Sequence, residues 1–351
     1  MSKKNSLITF KEGGWVLTLM GVILISITIW AISPAIFRVA NQEPGDGRTL
    51  ESYMFNLDEL SIPRDVVIPS MHHRNMSPTL SNPLIWSSEM IAERNRSKRN
   101  KFLVSGDLII GVTIGNESRA YPLHMLHVHE LINDTLGGTP ITVSWHWPSG
   151  HAIVHKRLIK GKICDFANSG IAGNGGMLIY PKEDSPGNEQ LFSLLLNKSV
   201  TGVNQELEIV PHEVMDWKTW VEMHPETTSI APNENFKKRY RKGDPSMYFL
   251  TDTLYFPAKP MPPIQEKFKA HVLAIKSESG FSVYSIHDLV EKADEFGHLQ
   301  LNIDGKPITL LTNKEPLWAA AYDENGEPMI SQRALWFAWF ANHPSTKIIE
   351  P

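Results

Sequence analysis

Between Leu126 and His155 the chain places His127, His129, Glu130, Asn133, Asp134, His146, His151 and His155 in two neighbouring segments, "LHVHELINDTL" and "SWHWPSGHAIVH". Neutral imidazole is the commonest protein ligand for zinc and copper. Three histidines from two adjacent strands with an open fourth position would suit either metal. His129, His146 and His151 are the candidate ligands, and His127 is a further one. Glu130 and Asp134 are the candidate acid–base groups, able to orient a ligand or to exchange a proton with bound water. The competing reading treats all of these as surface or interface residues with scattered roles, because neither HExxH nor paired-cysteine spacing is present.

Convergence depends on the hairpin that carries the second segment. Directly paired residues on two strands point to the same face, and side chains alternate along each strand. If the loop is Trp147 to Gly150, His146 pairs with His151 and Thr142 with His155, so all three histidines share a face. If the loop is only Pro148-Ser149-Gly150, His146 turns to the opposite face. His127 and His129 share a face if their segment is extended and not if residues 123–129 are helical.

The elements that position these residues recur. "DLIIGVTIGNESRAYPLHML" aligns without gaps to "AHVLAIKSESGFSVYSIHDL", an offset of 163 (284 − 121) between Tyr121 and Tyr284. "GTPITV" matches "GKPITL" at an offset of 167 (305 − 138), and "WVEMHPETTSI" matches "WFANHPSTKII" at 119 (339 − 220). Three blocks in one order predict a duplicated unit, with an insertion in the first copy between about Lys156 and His212. Tyr121, His124 and His224 have counterparts in Tyr284, His287 and His343, which points to packing, turns or capping. The histidine-rich segments have none: Asn313 stands where His146 does, and Trp318 near His151. The predicted fold is α+β, a β-rich domain over residues 101–351 built from unequal repeats at about 102–232 and 268–351.

The whole chain has 351 residues, 42% of them hydrophobic and 21% charged, the composition of a globular protein. A net charge of −4 supplies no basic field for nucleic acid, and "ERNRSKRNK" reads as a solvated segment. Cys164 is the only cysteine, so an internal disulfide and a thiolate zinc cluster are both excluded. From Gly13 to Phe37 no charged residue occurs, against the roughly 20 apolar residues that cross a bilayer as a helix. Residues 1–12 are then a cytoplasmic tail and 13–37 a membrane helix, with Lys3, Lys4 and Lys11 holding the amino terminus inside. Residues 38–100 read as an extracytoplasmic linker and irregular lead-in. A cleaved signal peptide is the rival reading, since Ser33-Pro34-Ala35 resembles a small-residue cleavage site, but the apolar run exceeds the usual 7–15 residues of a signal.

"DLIIGVTIGNESRAYPLHMLHVHELINDTLGGTPITVSWHWPSGHAIV", the run Phe166 to Gly170, "TWVEMHPETTSIAP", "RYRKGDPSMY" and "WFAWFANHPST" together resemble the bacterial and archaeal family called domain of unknown function three-one-seven-nine, from about Leu103 to Thr346. The densest motif is His129-Glu130 with Asn133-Asp134 and Gly138-x-Pro140. No biochemical activity comes with the resemblance. Members of the family usually carry Tyr-Cys-Pro-Leu-Cys-Gly where this chain has Trp145 to Gly150, so His146 and Ser149 replace two thiols that resemble a metal or redox site. What the resemblance implies is a divergent member, either with a changed metal preference or with its site lost.

Other signals carry less. "ANSGIAGNGG" lacks the Lys-Ser/Thr of a phosphate loop, and it reads as a loop bordering the site. "SMHHRNM" mixes His72, His73, Met71 and Met76, ligands that copper favours, but no longer run follows. No GxSxG elbow supports serine catalysis. The expected protein is a single-pass, membrane-anchored, extracytoplasmic (periplasmic-side) protein that binds zinc or copper. Two alternatives stand beside it: a non-catalytic scaffold at the membrane surface with a relict site, whose membrane-protein partner the sequence does not name, and a small-ligand binder in the cleft between the copies.

Overall fold

The structure is a computed structural model that describes residues 13–40, 43–97, 101–182, 187, 189–240, 246–263 and 268–351. The tail at residues 1–12 lies outside the described residues. The chain divides into two compact units, residues 1–44 and 45–351. The first contains helix α1 (Gly14–Ala40), in which the 20 residues Gly14–Ser33 are long and apolar enough to cross a membrane. A span of that length rises roughly 30 Å, the thickness of a bilayer's hydrocarbon core.

The second unit is α+β and dominated by strands. It begins with β1 (Val67–Pro69), β2 (Leu80–Ser81), β3 (Ile85–Ser87) and α2 (Ser88–Ser97). Next come β4 (Leu108–Ile114), β5 (Glu117–Pro122), α3 (Leu123–His129), β6 (Leu131–Leu136), β7 (Thr139–His146) and β8 (His151–Lys156). A small ribbon, β9 (Leu158–Ile159) and β10 (Lys162–Ile163), leads into β11 (Phe166–Gly173), β12 (Gly176–Pro181), β13 (Phe192–Ser193) and β14 (Lys198–Ser199). Then follow β15 (Glu213–Asp216), α4 (Trp217–Met223), β16 (Thr228–Ile230) and the single turns α5 (Lys237–Tyr240) and α6 (Ser246–Phe249). The last third contains β17 (His271–Ser277), β18 (Gly280–Ser285), α7 (Ile286–Lys292), β19 (His298–Ile303), β20 (Lys306–Asn313), β21 (Trp318–Tyr322), β22 (Ser331–Leu335) and α8 (Trp336–Asn342).

Three sheets position the histidines. The largest has the order β18-β17-β22-β8-β7-β6-β2, so strands distant in sequence meet where β22 pairs with β8. On one face of its β6–β8 part, Ile141, Val143, Trp145, Ala152 and Val154 pack against α3 and against Ile110, Val112 and Tyr121 of the β15-β4-β5-β16-β3 sheet. On the other face, Leu131 and Ile153 pack against Phe166, Met177, Ile179 and Phe192 of the β1-β11-β12-β13-β14 sheet. The histidine hairpin is therefore the middle layer of three, with both faces dry. This explains its near-continuous apolar burial in place of a clean inside-outside alternation.

The lead-in is packed as well. Tyr53 and Arg74 are buried, and β1 pairs with β11. Arg74 is held by Glu189 at 2.9 Å and lies over the Phe55 ring at 3.5 Å.

Candidate functional site

The strand register settles the hairpin. His146 pairs with His151, Ser144 with Ile153 and Thr142 with His155. The turn is therefore Trp147 to Gly150, and the three histidines lie on one face, toward β11 and β12. Gly150 closes the turn at φ +59°, where a Cβ would stand 2.9 Å from the Leu335 side chain. Positive φ and close packing together favour glycine here.

Two of these imidazoles are poised alike. Ser149 Oγ lies 2.7 Å from His146 Nδ1 and 3.1 Å from the His146 carbonyl; when the hydroxyl donates to the carbonyl, it accepts from Nδ1–H. His151 Nε2–H donates to Gln332 Oε1 at 3.0 Å. His151 Nδ1 is then the lone-pair nitrogen of its ring, and His146 Nε2 is the lone-pair nitrogen in the Nδ1–H tautomer. Both rings are buried, and burial holds both neutral, with pKa values lowered to about 3. The His146 ring stacks on Phe256 at 5.7 Å. His155 lies further along the same face, where Nε2 meets Asn197 Oδ1 at 2.9 Å and burial lowers its pKa to about 4.

His129 is different. Its Nδ1 meets the Pro78 carbonyl and its Nε2 the Tyr240 hydroxyl, both at 2.7 Å. Neither nitrogen is left over, and the ring also packs edge-on against Phe236. Residues 123–129 are helical, so His127 and His129 do not share a face, and the His127 ring lies 6.2 Å from that of Trp145. Asp134 is likewise committed: its Oδ2 accepts from Arg119 Nη1 at 2.6 Å and from Tyr121 OH at 2.8 Å, and its Oδ1 accepts from the Thr135 N–H. The structure therefore brings His146 and His151 together and places His127, His129 and Asp134 in other surroundings. Among the described residues, a group of three His/Cys/Asp/Glu ligand atoms within 4.8 Å of one another occurs at His287, Asp288 and Glu291 on the exposed side of α7.

Glu130 is the buried carboxyl. It follows α3 with φ +58°, a backbone conformation that costs a non-glycine residue about 1–3 kcal/mol and persists where the surroundings enforce it. Strand alternation carried back from Leu131 would put residue 130 on the side of Ile132. The turn of the backbone instead sends the carboxylate toward β11, where Oε2 accepts from Asn168 Nδ2 at 2.5 Å. The same amide nitrogen lies 3.0 Å from Met177 Sδ. Burial lifts the Glu130 carboxyl to about 7, against the opposing pull of hydrogen bonds from Ser77 and Asn168. A buried acid that titrates near neutrality is fitted to exchange protons.

Asn168, Ser77, Gln332 and Phe256 complete these surroundings and were not singled out by sequence reasoning. Only Asn168 had a signal, its place in the Phe166–Gly170 run. Gln332 reaches the site through the β8–β22 pairing, a contact 181 residues apart in sequence.

No curated protein matches the chain, and no solved structure does. Residues 83–325 match the family model described as "Protein of unknown function (DUF3179)", and the chain belongs to that family.

Proposed function

We propose that the protein is a membrane-anchored, extracytoplasmic domain that binds zinc or copper through His146 Nε2 and His151 Nδ1, with Glu130 as a nearby buried proton-exchanging group. The observation that carries the reading is that each ring of this cross-strand pair has one nitrogen on a supporting oxygen, Ser149 Oγ for His146 and Gln332 Oε1 for His151. Metal-ligating histidines donate their second ring N–H to a supporting group, which fixes the ring and the free lone pair, and both imidazoles of this cross-strand pair are placed to do so. Being neutral down to acidic pH, they would meet a cation without proton competition. Two imidazoles leave a zinc ion short of its usual four donors, so the remaining positions would go to water or to a substrate. His129 takes a structural part in this reading. The basic residues ahead of α1 favour a cytoplasmic amino terminus with the body on the periplasmic side.

The same proposal takes residues 102–232 and 268–351 as unequal copies. In support, each contains strand, strand, helix, three further strands, then strand and helix. The seams are reciprocal too: β8 of the first meets β22 of the second, and β21 of the second lies against β15 of the first, where Trp318 Nε1 donates to Asp216 Oδ2 and Tyr322 OH to Glu213 Oε1. Gln332 and Glu213, which take part in the two seams, differ by the same 119 positions (332 − 213) as the matching HPxT motifs.

The test is elemental analysis of the full chain, purified untagged in detergent after exposure to zinc or copper. About one metal per chain in wild type and in His129→Ala, lost in His146→Ala and His151→Ala, supports the proposal. A folded wild type that stays metal-free would sink it and leave the interaction scaffold as the better account.

A further inference from the structure

The opposite face of β8 presents a second set of unsatisfied groups, in a place unrelated to the histidine pair. Trp145, Ala152, Arg333 and Leu273 form one row across β7, β8, β22 and β17, fixed by the pairings Trp145–Ala152, Ala152–Arg333 and Arg333–Leu273. Their side chains therefore share a face. Ala152, the smallest of the four, lies between the indole-bearing and the guanidinium-bearing strands.

Arg333 is 6% exposed, and no carboxylate among the described residues forms an ion pair with it. Its Nη1 donates to the Leu317 carbonyl at 2.8 Å, while its Nε is buried without a partner among the described residues. Trp145, 3% exposed, has its Nε1–H in the same condition. On the next row of this face, His271 Nδ1 is the third such nitrogen. Burial, with the Arg333 charge beside it, drives the His271 imidazole well below its ordinary pKa and keeps it neutral.

Buried charges in proteins are normally paired, and buried N–H groups are normally bonded. Three unpartnered nitrogens on one face of the sheet, one of them on a cation with nothing negative bonded to it, fit an anion, with His271 donating in its Nδ1–H tautomer. The Nε edge of a guanidinium is the edge that takes two oxygens side by side.

We propose that Arg333, Trp145 and His271 form a binding site for a small oxyanion, carboxylate or phosphate, seated over Ala152. Arg333 supplies the charge and the paired donors, Trp145 a single directional donor from across Ala152, and His271 a third. The proposal stands apart from the metal reading, because His146 and His151 point to the other face of the sheet.

Thermal unfolding of the full chain in detergent, with a chelator present and at fixed ionic strength, tests it. Sodium formate and sodium phosphate are each titrated through the millimolar range against sodium chloride. The expected result is a wild-type midpoint that climbs with the logarithm of formate or phosphate concentration and stays flat in chloride. The salt that acts identifies the source as carboxylate or phosphate. Arg333→Met should abolish the climb. Trp145→Phe, which keeps an aromatic ring in place but removes the N–H donor, should weaken it at least several-fold. Should Arg333→Met fail to fold, Trp145→Phe decides alone. If the three salts act alike on wild type, or both variants respond as wild type does, the donors serve internal water only and the proposal falls.

Discussion

Two contacts join strands far apart in the sequence in different ways: β8 pairs with β22 within one sheet, whereas β15 and β21 belong to separate sheets and meet through side chains. At the β15–β21 seam the cross-seam groups are Trp318 and Tyr322, which donate to Asp216 and Glu213. Those donors bond once and bury large apolar rings, so the seam is a clamp. At the β8–β22 seam the cross-seam bond runs from His151 to Gln332, and the ring that makes it retains a basic nitrogen. An indole has one ring nitrogen, which its bond uses; an imidazole has a second.

The largest effect expected at either seam tests the clamp. Trp318 is 1% exposed, and Trp318→Ala should cost about 3–5 kcal/mol by loss of the ring and creation of a cavity, read by chemical denaturation. A cost under about 1 kcal/mol would erase the distinction between the seams.

Next is the pH dependence of stability. Burial raises the Glu130 and Glu213 carboxyls from an ordinary 4.5 to about 7. The folded protein therefore holds protons that the unfolded chain releases, and stability from these groups is lost as pH rises from about 4.5 through 7. The buried imidazoles act the other way. His124, His146, His151 and His155 fall from 6.5 to between about 3 and 4, so their share is lost as pH falls from 6.5. Glu130→Gln should remove up to roughly 3 kcal/mol of the loss between pH 4.5 and 7 and leave the acid limb intact. Unfolding midpoints across pH 4–8 would show it, and an unchanged profile would mean that the carboxyl is not held protonated.

A smaller effect is expected at His129. Tyr240→Phe leaves its Nε2 unbonded and should cost about 1–2 kcal/mol without changing metal content. Loss of metal with this variant would return His129 to the ligand set. Of similar size, His151→Ala should lower stability by about 1–3 kcal/mol, because the buried Gln332 oxygen loses its donor, while metal binding disappears. A variant that unfolds instead would make the second seam a clamp like the first.

Much of this was legible in the sequence. Alternation and the Pro-Ser-Gly turn narrowed the hairpin to two registers, and the apolar run before Arg38 marked α1. The contacts that give each histidine its character were not legible, because they come from partners far away in the chain: Pro78 and Tyr240 for His129, Gln332 for His151, Asn168 for Glu130. His129 and His146 look equivalent as letters, and only three-dimensional packing tells a saturated ring from one with a lone pair to offer. Asp134 misled for the same reason, since its role depends on Arg119 and Tyr121 across the β5–β6 corner. The Arg333 row was invisible, because it joins four strands from both ends of the domain.

The positive φ at Glu130 bears on how the chain can drift. Glycine or asparagine at this position would relieve the backbone, and either would take a buried carboxyl with no cationic partner out of the core. The strained backbone and the raised carboxyl pKa therefore fall on one residue, and Glu130→Gly would relieve both at once.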